Sequence, residues 1–211
     1  MPLYKSISCN PVTKVLIWKI TETFDELYEE TKLNDSSIFR LKSMKSEQQQ
    51  RAFLSVRKLL QVAGYSDFEL FYDMTGKPYL KDGTHISITH SFGFSAIIVS
   101  DITIGIDIEM QRDKIIRIDY KFVDDEFAFL NKENTDDYVK KLTVIWGAKE
   151  AIFKIRNEVG ISFKDHIKVS PFEMNEGQCQ AALHFGSKIT DFIIHFIEVE
   201  NFTLVYAFEQ K

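Results

Sequence analysis

Four short runs of this chain combine residue types and spacings that can do chemistry. The first is Ile104-Gly105-Ile106-Asp107-Ile108-Glu109. Residues two apart on a strand share a face, so Ile104, Ile106 and Ile108 form an apolar face while Asp107 and Glu109 project together from the other. Two carboxylates that close repel unless something positive lies between them. Oxygen donors suit a hard cation, and magnesium in particular is usually held by a few carboxylates plus substrate phosphates. The plainer alternative is a half-exposed strand with a solvated acidic face.

The second run is Trp146 to Lys154, WGAKEAIFK. On a helix Trp146, Glu150 and Lys154 share one face, and Ile145, Ala148, Ile152 and Ile155 form a stripe roughly opposite. With Phe153 added, the helix is apolar on nearly all sides and is expected to be buried. A Glu–Lys pair in such a place needs partners; the plainer alternative is an i, i+4 salt bridge laid over a core helix. The third run, Ser87-Ile88-Thr89-His90-Ser91, puts His90 where a strand meets a turn, able to donate to a phosphate oxygen or to satisfy a loop carbonyl. The fourth, Gly76-Lys77-Pro78, holds a cation in a rigid turn, where it meets an anion or water. No Walker A loop, GxGxxG, GxSxG or HExxH motif is present.

The elements that must position these runs follow from periodicity and turn chemistry. Val12 to Ile20 reads as a strand, and Thr21 as the cap of a helix carrying Phe24, Leu27 and Tyr28, broken at Asn34 to Ser37. A second helix starts near Ser46, with a possible capping box to Gln49, and stops at Gly64. Phe68 to Tyr72 is a strand and Asp73 to Pro78 a turn. His85 to Thr89, Phe94 to Ser100 and Thr103 to Glu109 then suggest a tight antiparallel meander. Gln111 to Lys121 is a charged loop or poorly periodic helix, and Asp124 to Leu130 looks helical. Asp137 to Asn157 is the strongest helix, and four strand-like runs follow Gly160.

Composition bounds the class. Of 211 residues, 45% are hydrophobic and 27% charged, with nine Gly and four Pro, which argues against disorder or a linker-rich chain. At roughly 150 residues per domain the length allows one large domain or two small ones. Lys and Arg total 26 against 31 Asp and Glu, a net charge of −5 that does not favour nucleic-acid binding by phosphate neutralisation. Cys9 and Cys179 lie far apart and read as two reduced thiols. No apolar run reaches the ~20 residues a membrane helix needs. Met1 to Pro11 lacks a signal-peptide layout, so a cytoplasmic protein without a membrane partner is expected.

In order and kind, the four runs resemble the 4′-phosphopantetheinyl transferase superfamily, in its long single-chain form that acts on carrier proteins. The marks are Gly76-Lys77-Pro78, Thr89-His90-Ser91, Gly105-Ile106-Asp107-Ile108-Glu109, and the helix from Trp146 through Lys149-Glu150 to Lys154. The helix with Arg51 and Arg57 also looks like the family's Arg-rich helix. The resemblance spans roughly residues 46 to 165. It implies an α+β pseudo-dimer of two similar halves, 1–105 and 106–211. Each half would pack helices on a mainly antiparallel sheet, with coenzyme A in the cleft between them, and the chain would be a monomer.

The implied reaction moves phosphopantetheine from coenzyme A to a serine of an apo acyl or peptidyl carrier protein and releases adenosine 3′,5′-bisphosphate. By the same resemblance Asp107, Glu109 and Glu150 are the magnesium ligands, and Lys154 contacts the phosphates. Lys77, Thr89 and His90 hold coenzyme A, and Arg51 reaches an adenosine-side phosphate. Glu150 or a metal-bound water takes the serine proton. Glu126 aligns with another acidic residue of the family, and Lys149 is structural or phosphate-directed. Thr89 stands where many relatives carry Ser. The early basic residues aimed at the 3′-phosphate have no clear counterpart, with Arg40, Lys42 and Lys45 as candidates by composition. Carriers are generally acidic, so a local patch on this net-negative chain is expected to steer docking, with Arg112, Lys114, Arg117 and Lys121 as its members. A non-catalytic relative that binds coenzyme A or a carrier, and a magnesium-dependent phosphohydrolase, are the competing readings.

Overall fold

The structure, a computed structural model, describes residues 3–210; the outermost residues of the two expected halves, and Met1 of the expected leaderless N-terminus, lie outside them. The chain divides into two compact units, Met1–Ile102 and Thr103–Lys211. Helix and antiparallel sheet are mixed in both, an α+β architecture.

The first unit opens on a hairpin of β1 (Leu3–Asn10) and β2 (Thr13–Lys19). β1 has no counterpart among the expected elements, because it is exposed along most of its length and its alternation is confined to Ile7 and Cys9 between polar neighbours. Its turn is legible in retrospect: the Asn10 side chain accepts from the N–H groups of Val12 (3.0 Å) and Thr13 (2.7 Å), an Asx turn ahead of Pro11. Helix α1 (Phe24–Glu29) is capped by Thr23, in a capping box with Glu26, and not by Thr21. The polar run at Asn34 does not merely break that helix. Asn34 caps α2 (Asp35–Ser43) by accepting from Ser37 N–H at 2.9 Å, so the same residues that end one helix begin another.

Helix α3 (Glu47–Ala63) ends, as expected, on a left-handed Gly64, although Ser46 makes no side-chain cap. β3 (Leu70–Tyr72) and β4 (Pro78–Leu80) form a small hairpin around the Asp73–Pro78 turn, and β5 (His85–Ser91) and β6 (Phe94–Ser100) form the next. The sheet order is β1-β2-β6-β5, and α3 packs on β2 and β6, where Ser55 and Ser95 share a buried hydrogen bond of 2.8 Å. Arg57 is structural: its Nε lies 2.9 Å from Asp67 Oδ1 with both side chains buried, and its guanidinium sits 3.4 Å over the Phe53 ring. Asp67 in turn accepts from Ser37 Oγ and from Asn34 N–H, each at 2.9 Å, so one ion pair ties α2 and α3 to the segment leading into β3.

In the second unit the order is β7 (Ile104–Met110), α4 (Thr135–Arg156), α5 (Phe163–His166), β8 (Ile167–Val169), β9 (Gln178–Phe185), β10 (Lys188–Val199) and β11 (Phe202–Glu209). Its sheet runs β7-β11-β10-β9-β8, antiparallel throughout. The expected meander therefore ends one strand early. β7 does not pair with β6, because β2 and β5 already take both edges of β6. Between β7 and α4 the chain forms two 3-10 segments, Asp113–Lys121 and Asp125–Phe129, in place of the expected loop and helix.

Helix α4 lies on β7 and β11, and glycine permits the approach. A Cβ on Gly105 would stand 2.0 Å from the carbonyl oxygen of Ala151, while a Cβ on Gly147 would stand 2.7 Å from Val205 Cγ2. The first obstacle is helix backbone and the second a side chain that can turn. We expect Gly105→Ala to cost about 3 kcal/mol or more, and Gly147→Ala clearly less, in urea unfolding followed by tryptophan fluorescence. Equal losses would show that α4 does not rest on β7 through Gly105.

Candidate active site

The acidic strand and the WGAKE helix meet in the second unit. Gly105, Asp107 and Glu109 share the face of β7 that α4 covers, so this face is not solvated: Asp107 is only 5% exposed. Alternation identified the face correctly, but not what covers it. Lys154 Nζ donates to Asp107 Oδ1 and to the carbonyl of Ile106, both at 2.8 Å. The simple i, i+4 alternative for the helix is thereby replaced, since Lys154 pairs across to the strand.

Glu150, one turn before Lys154, has its pKa pushed up to about 7. Burial is the main cause, the charge of Asp107 comes next, Lys154 opposes, and Glu109 adds to the rise. Three carboxylates thus act on one another around one lysine. Among the described residues no group of three or more His, Cys, Asp or Glu side chains is arranged as a ready metal cage. The donor set still fits a magnesium ion, which takes a few carboxylate oxygens and fills its other positions with water and phosphate. A cation beside Glu150 would favour its ionised form.

Lys149 and Glu126 take no place in this cluster. Lys149 Nζ lies 2.7 Å from Glu126 Oε1 with both side chains fully buried, and donates to the carbonyls of Phe122 (2.6 Å) and Phe163 (3.0 Å). Glu126 also accepts from the N–H groups of Val169 (3.1 Å) and Asp124 (3.0 Å). Burial pulls the Lys149 pKa below its ordinary value, and Glu126 opposes that shift. Of the two roles left open for Lys149, the structural one stands.

Beside Glu109 lies a pocket of about 210 Å³, walled by Met110, Ile115, Ile118 and Trp146 and rimmed by Arg112 and Lys114. Sequence reasoning found its cations but not its apolar walls. Ile115 and Ile118, three apart on a 3-10 segment, were the available signal. Arg112, Lys114, Arg117 and Lys121 are all exposed.

The first unit carries the remaining site candidates. Lys77 is half-buried in the β3–β4 turn, its backbone N–H donating to Asp73 Oδ1 at 3.0 Å. Thr89 is buried and His90 exposed on β5. Arg51 lines a pocket with Ile20, Gln48, Phe92 and Gly93 at the β5–β6 turn. Arg40 is engaged over the rings of Tyr72 (4.9 Å) and Phe53 (5.8 Å), bracing α2 against the hairpin, whereas Lys42 and Lys45 are exposed. Cys179 is a buried free thiol whose pKa burial pushes up to about 12. No helix among the described residues is long and apolar enough to cross a membrane.

A strand and a helix that together bring acidic oxygens and a lysine to one place, in an α+β unit, define a domain suited to anionic phosphate chemistry. Residues 103–206, nearly all of the second unit, match the family model of the 4′-phosphopantetheinyl transferase superfamily, so this unit carries a domain of that superfamily. Among curated proteins it is similar to the 4′-phosphopantetheinyl transferase gsp of Aneurinibacillus migulanus, 25% identical over 139 residues. That match covers 64% of this chain and 56% of the relative, so the chain spans about half the length of the curated relative it matches.

The buried Lys149–Glu126 pair yields a stability prediction. Lys149→Met leaves Glu126 buried with its charge uncompensated and should cost about 3–5 kcal/mol in urea unfolding. Adding Glu126→Gln should recover part of that loss. A loss under about 1 kcal/mol would mean that the pair does not hold the segment it spans.

Proposed function

We propose that this chain transfers the 4′-phosphopantetheine group of coenzyme A to a serine hydroxyl of an apo acyl or peptidyl carrier protein, with magnesium, releasing adenosine 3′,5′-bisphosphate. What supports the reading most is the meeting of Asp107, Glu150 and Lys154 across the β7–α4 contact, inside a domain of this superfamily.

The serine oxygen forms a bond to the nearer phosphorus of the coenzyme A pyrophosphate. The bond from that phosphorus to the bridging oxygen breaks, and the bisphosphate leaves with the electron pair. A magnesium ion held by Asp107, Glu109 and Glu150 would supply charge neutralisation for the pyrophosphate. Lys154 offsets charge on the leaving group. The serine proton goes to Glu150 or to water beside it. In the first unit Lys77, Thr89, His90 and Arg51 are the groups assigned to coenzyme A. For the carrier, the exposed cations from Arg112 to Lys121 meet acidic surface, and the pocket walled by Ile115, Ile118 and Trp146 gives them an apolar neighbour.

Intact-mass spectrometry of an apo carrier incubated with this protein, coenzyme A and magnesium tests the reaction. The expected result is a gain of one phosphopantetheine, abolished by a chelator and reduced about a hundredfold or more by Asp107→Asn, which keeps the shape of the buried side chain. Coenzyme A binding without transfer to any carrier class would indicate a binding-only relative; phosphate-ester release with no carrier present would indicate a hydrolase.

Docking has its own test. Arg112→Glu combined with Arg117→Glu should raise KM for the carrier about tenfold and leave coenzyme A affinity within about twofold. Unchanged carrier kinetics would remove the patch from the reading.

A further inference from the structure

The two lysines of the WGAKEAIFK run are held in contrasting ways. Lys149 is wholly buried, with Glu126 and two carbonyls around its Nζ, and has no path to solvent. Lys154 has one carboxylate and one carbonyl, both from adjacent residues of β7, and its side chain is 29% exposed. Asp107, its partner, is 7% exposed at the side chain and fixed on a strand paired with β11. Of the two groups in that contact only the lysine can leave, on a flexible four-carbon stem.

Lys154 occupies one oxygen of a carboxylate that a divalent cation would use, and an ammonium and a divalent cation sharing one carboxylate repel each other. We propose that Lys154 is the counterion of Asp107 in the metal-free protein, that a divalent cation displaces it from that carboxylate, and that the ammonium so released becomes available to the pyrophosphate. The cation and the phosphate-binding lysine are then coupled: in the metal-free protein the carboxylate and the ammonium compensate each other, and cation binding frees the ammonium for the substrate. The proposal rests on the assignment of Asp107 to a cation made above.

Calorimetric titration with Mn²⁺ alone, with neither coenzyme A nor carrier present, tests it on the full chain. Lys154→Gln should bind Mn²⁺ about tenfold more tightly than the unaltered protein, because the competitor is gone. Arg156→Gln is the charge control: it removes a cation from the same helix that pairs instead with Glu158 and Glu209, and should change affinity by less than about twofold. A second reading needs no variant to be well behaved. In the unaltered protein the hydrogen-bonded Lys154 ammonium should give a protected ¹⁵N–¹H signal that moves or is lost when Mg²⁺ saturates the site.

Equal or weaker Mn²⁺ binding by Lys154→Gln, or an ammonium signal unmoved at saturating Mg²⁺, overturns the displacement and leaves the cation site standing. Equal gains in Lys154→Gln and Arg156→Gln overturn it too, since a general loss of positive charge would then suffice. Absence of Mn²⁺ binding in every form overturns the cation site and the displacement together.

Discussion

The second unit depends on a steric allowance at Gly105. With any side chain there, α4 would be driven off β7, because the Ala151 carbonyl stands where a Cβ would be. The approach it permits carries Lys154 to within 2.8 Å of Asp107 and brings Glu150 under the influence of both strand carboxylates. Gly147 makes the same allowance from the helix side, over Val205. The two glycines of the motifs are therefore as much a part of the site as its charged residues, although neither can touch a substrate by a side chain.

Close approach buries charge, and burial has to be compensated. The WGAKEAIFK run of helix α4 carries two lysines toward the strand and core and compensates them differently. At Lys149 the compensation is complete and internal, which suits a strut: Glu126 comes from a short 3-10 segment, the Phe122 carbonyl from just before it and the Phe163 carbonyl from the start of α5. At Lys154 the compensation is partial and borders solvent, beside Glu150, whose pKa burial and the strand carboxylates push up. One sequence motif thus supplies both the support of the site and its exchangeable charge.

Much of this was legible in the residues. Helix α4, the four strands after it, and the turn at Gly76-Lys77-Pro78 followed from periodicity and turn chemistry, and Asp107 and Glu109 were correctly placed on one face of their strand. Three things were not legible, each for a physical reason. Short connections favour hairpins, so β7 was expected to join β6; strand order is decided by which edges are open, and β6 has none. Polar clusters mark both breaks and caps, so Asn34 looked like an ending when its side chain begins α2. Alternation separates two faces without saying what lies on either, so a solvated acidic face stayed open as an alternative until α4 was seen to cover it. Gly105 on that face, and Gly147 on a helix already expected to be buried, were the residues that pointed to close packing.

The basic segment after β7 shows the same dependence of local structure on distant support. A 3-10 run of nine residues is long for a helix type with poor hydrogen-bond geometry, and Asp113–Lys121 has little reason to persist by propensity. It persists because Ile115 and Ile116 pack inward on the core of the second unit while Asp119 accepts from the buried Tyr138 hydroxyl at 2.6 Å. Just beyond it, the Phe122 carbonyl is held by Lys149. Arg112, Lys114, Arg117 and Lys121 are left outward. In a chain with 31 acidic residues against 26 basic ones, attraction for an acidic partner has to come from such a local concentration of charge, close enough to act within a Debye length. These exposed cations are therefore placed partly by buried contacts on other elements, and a change to the Lys149–Glu126 pair would reach the basic segment without altering a single exposed residue.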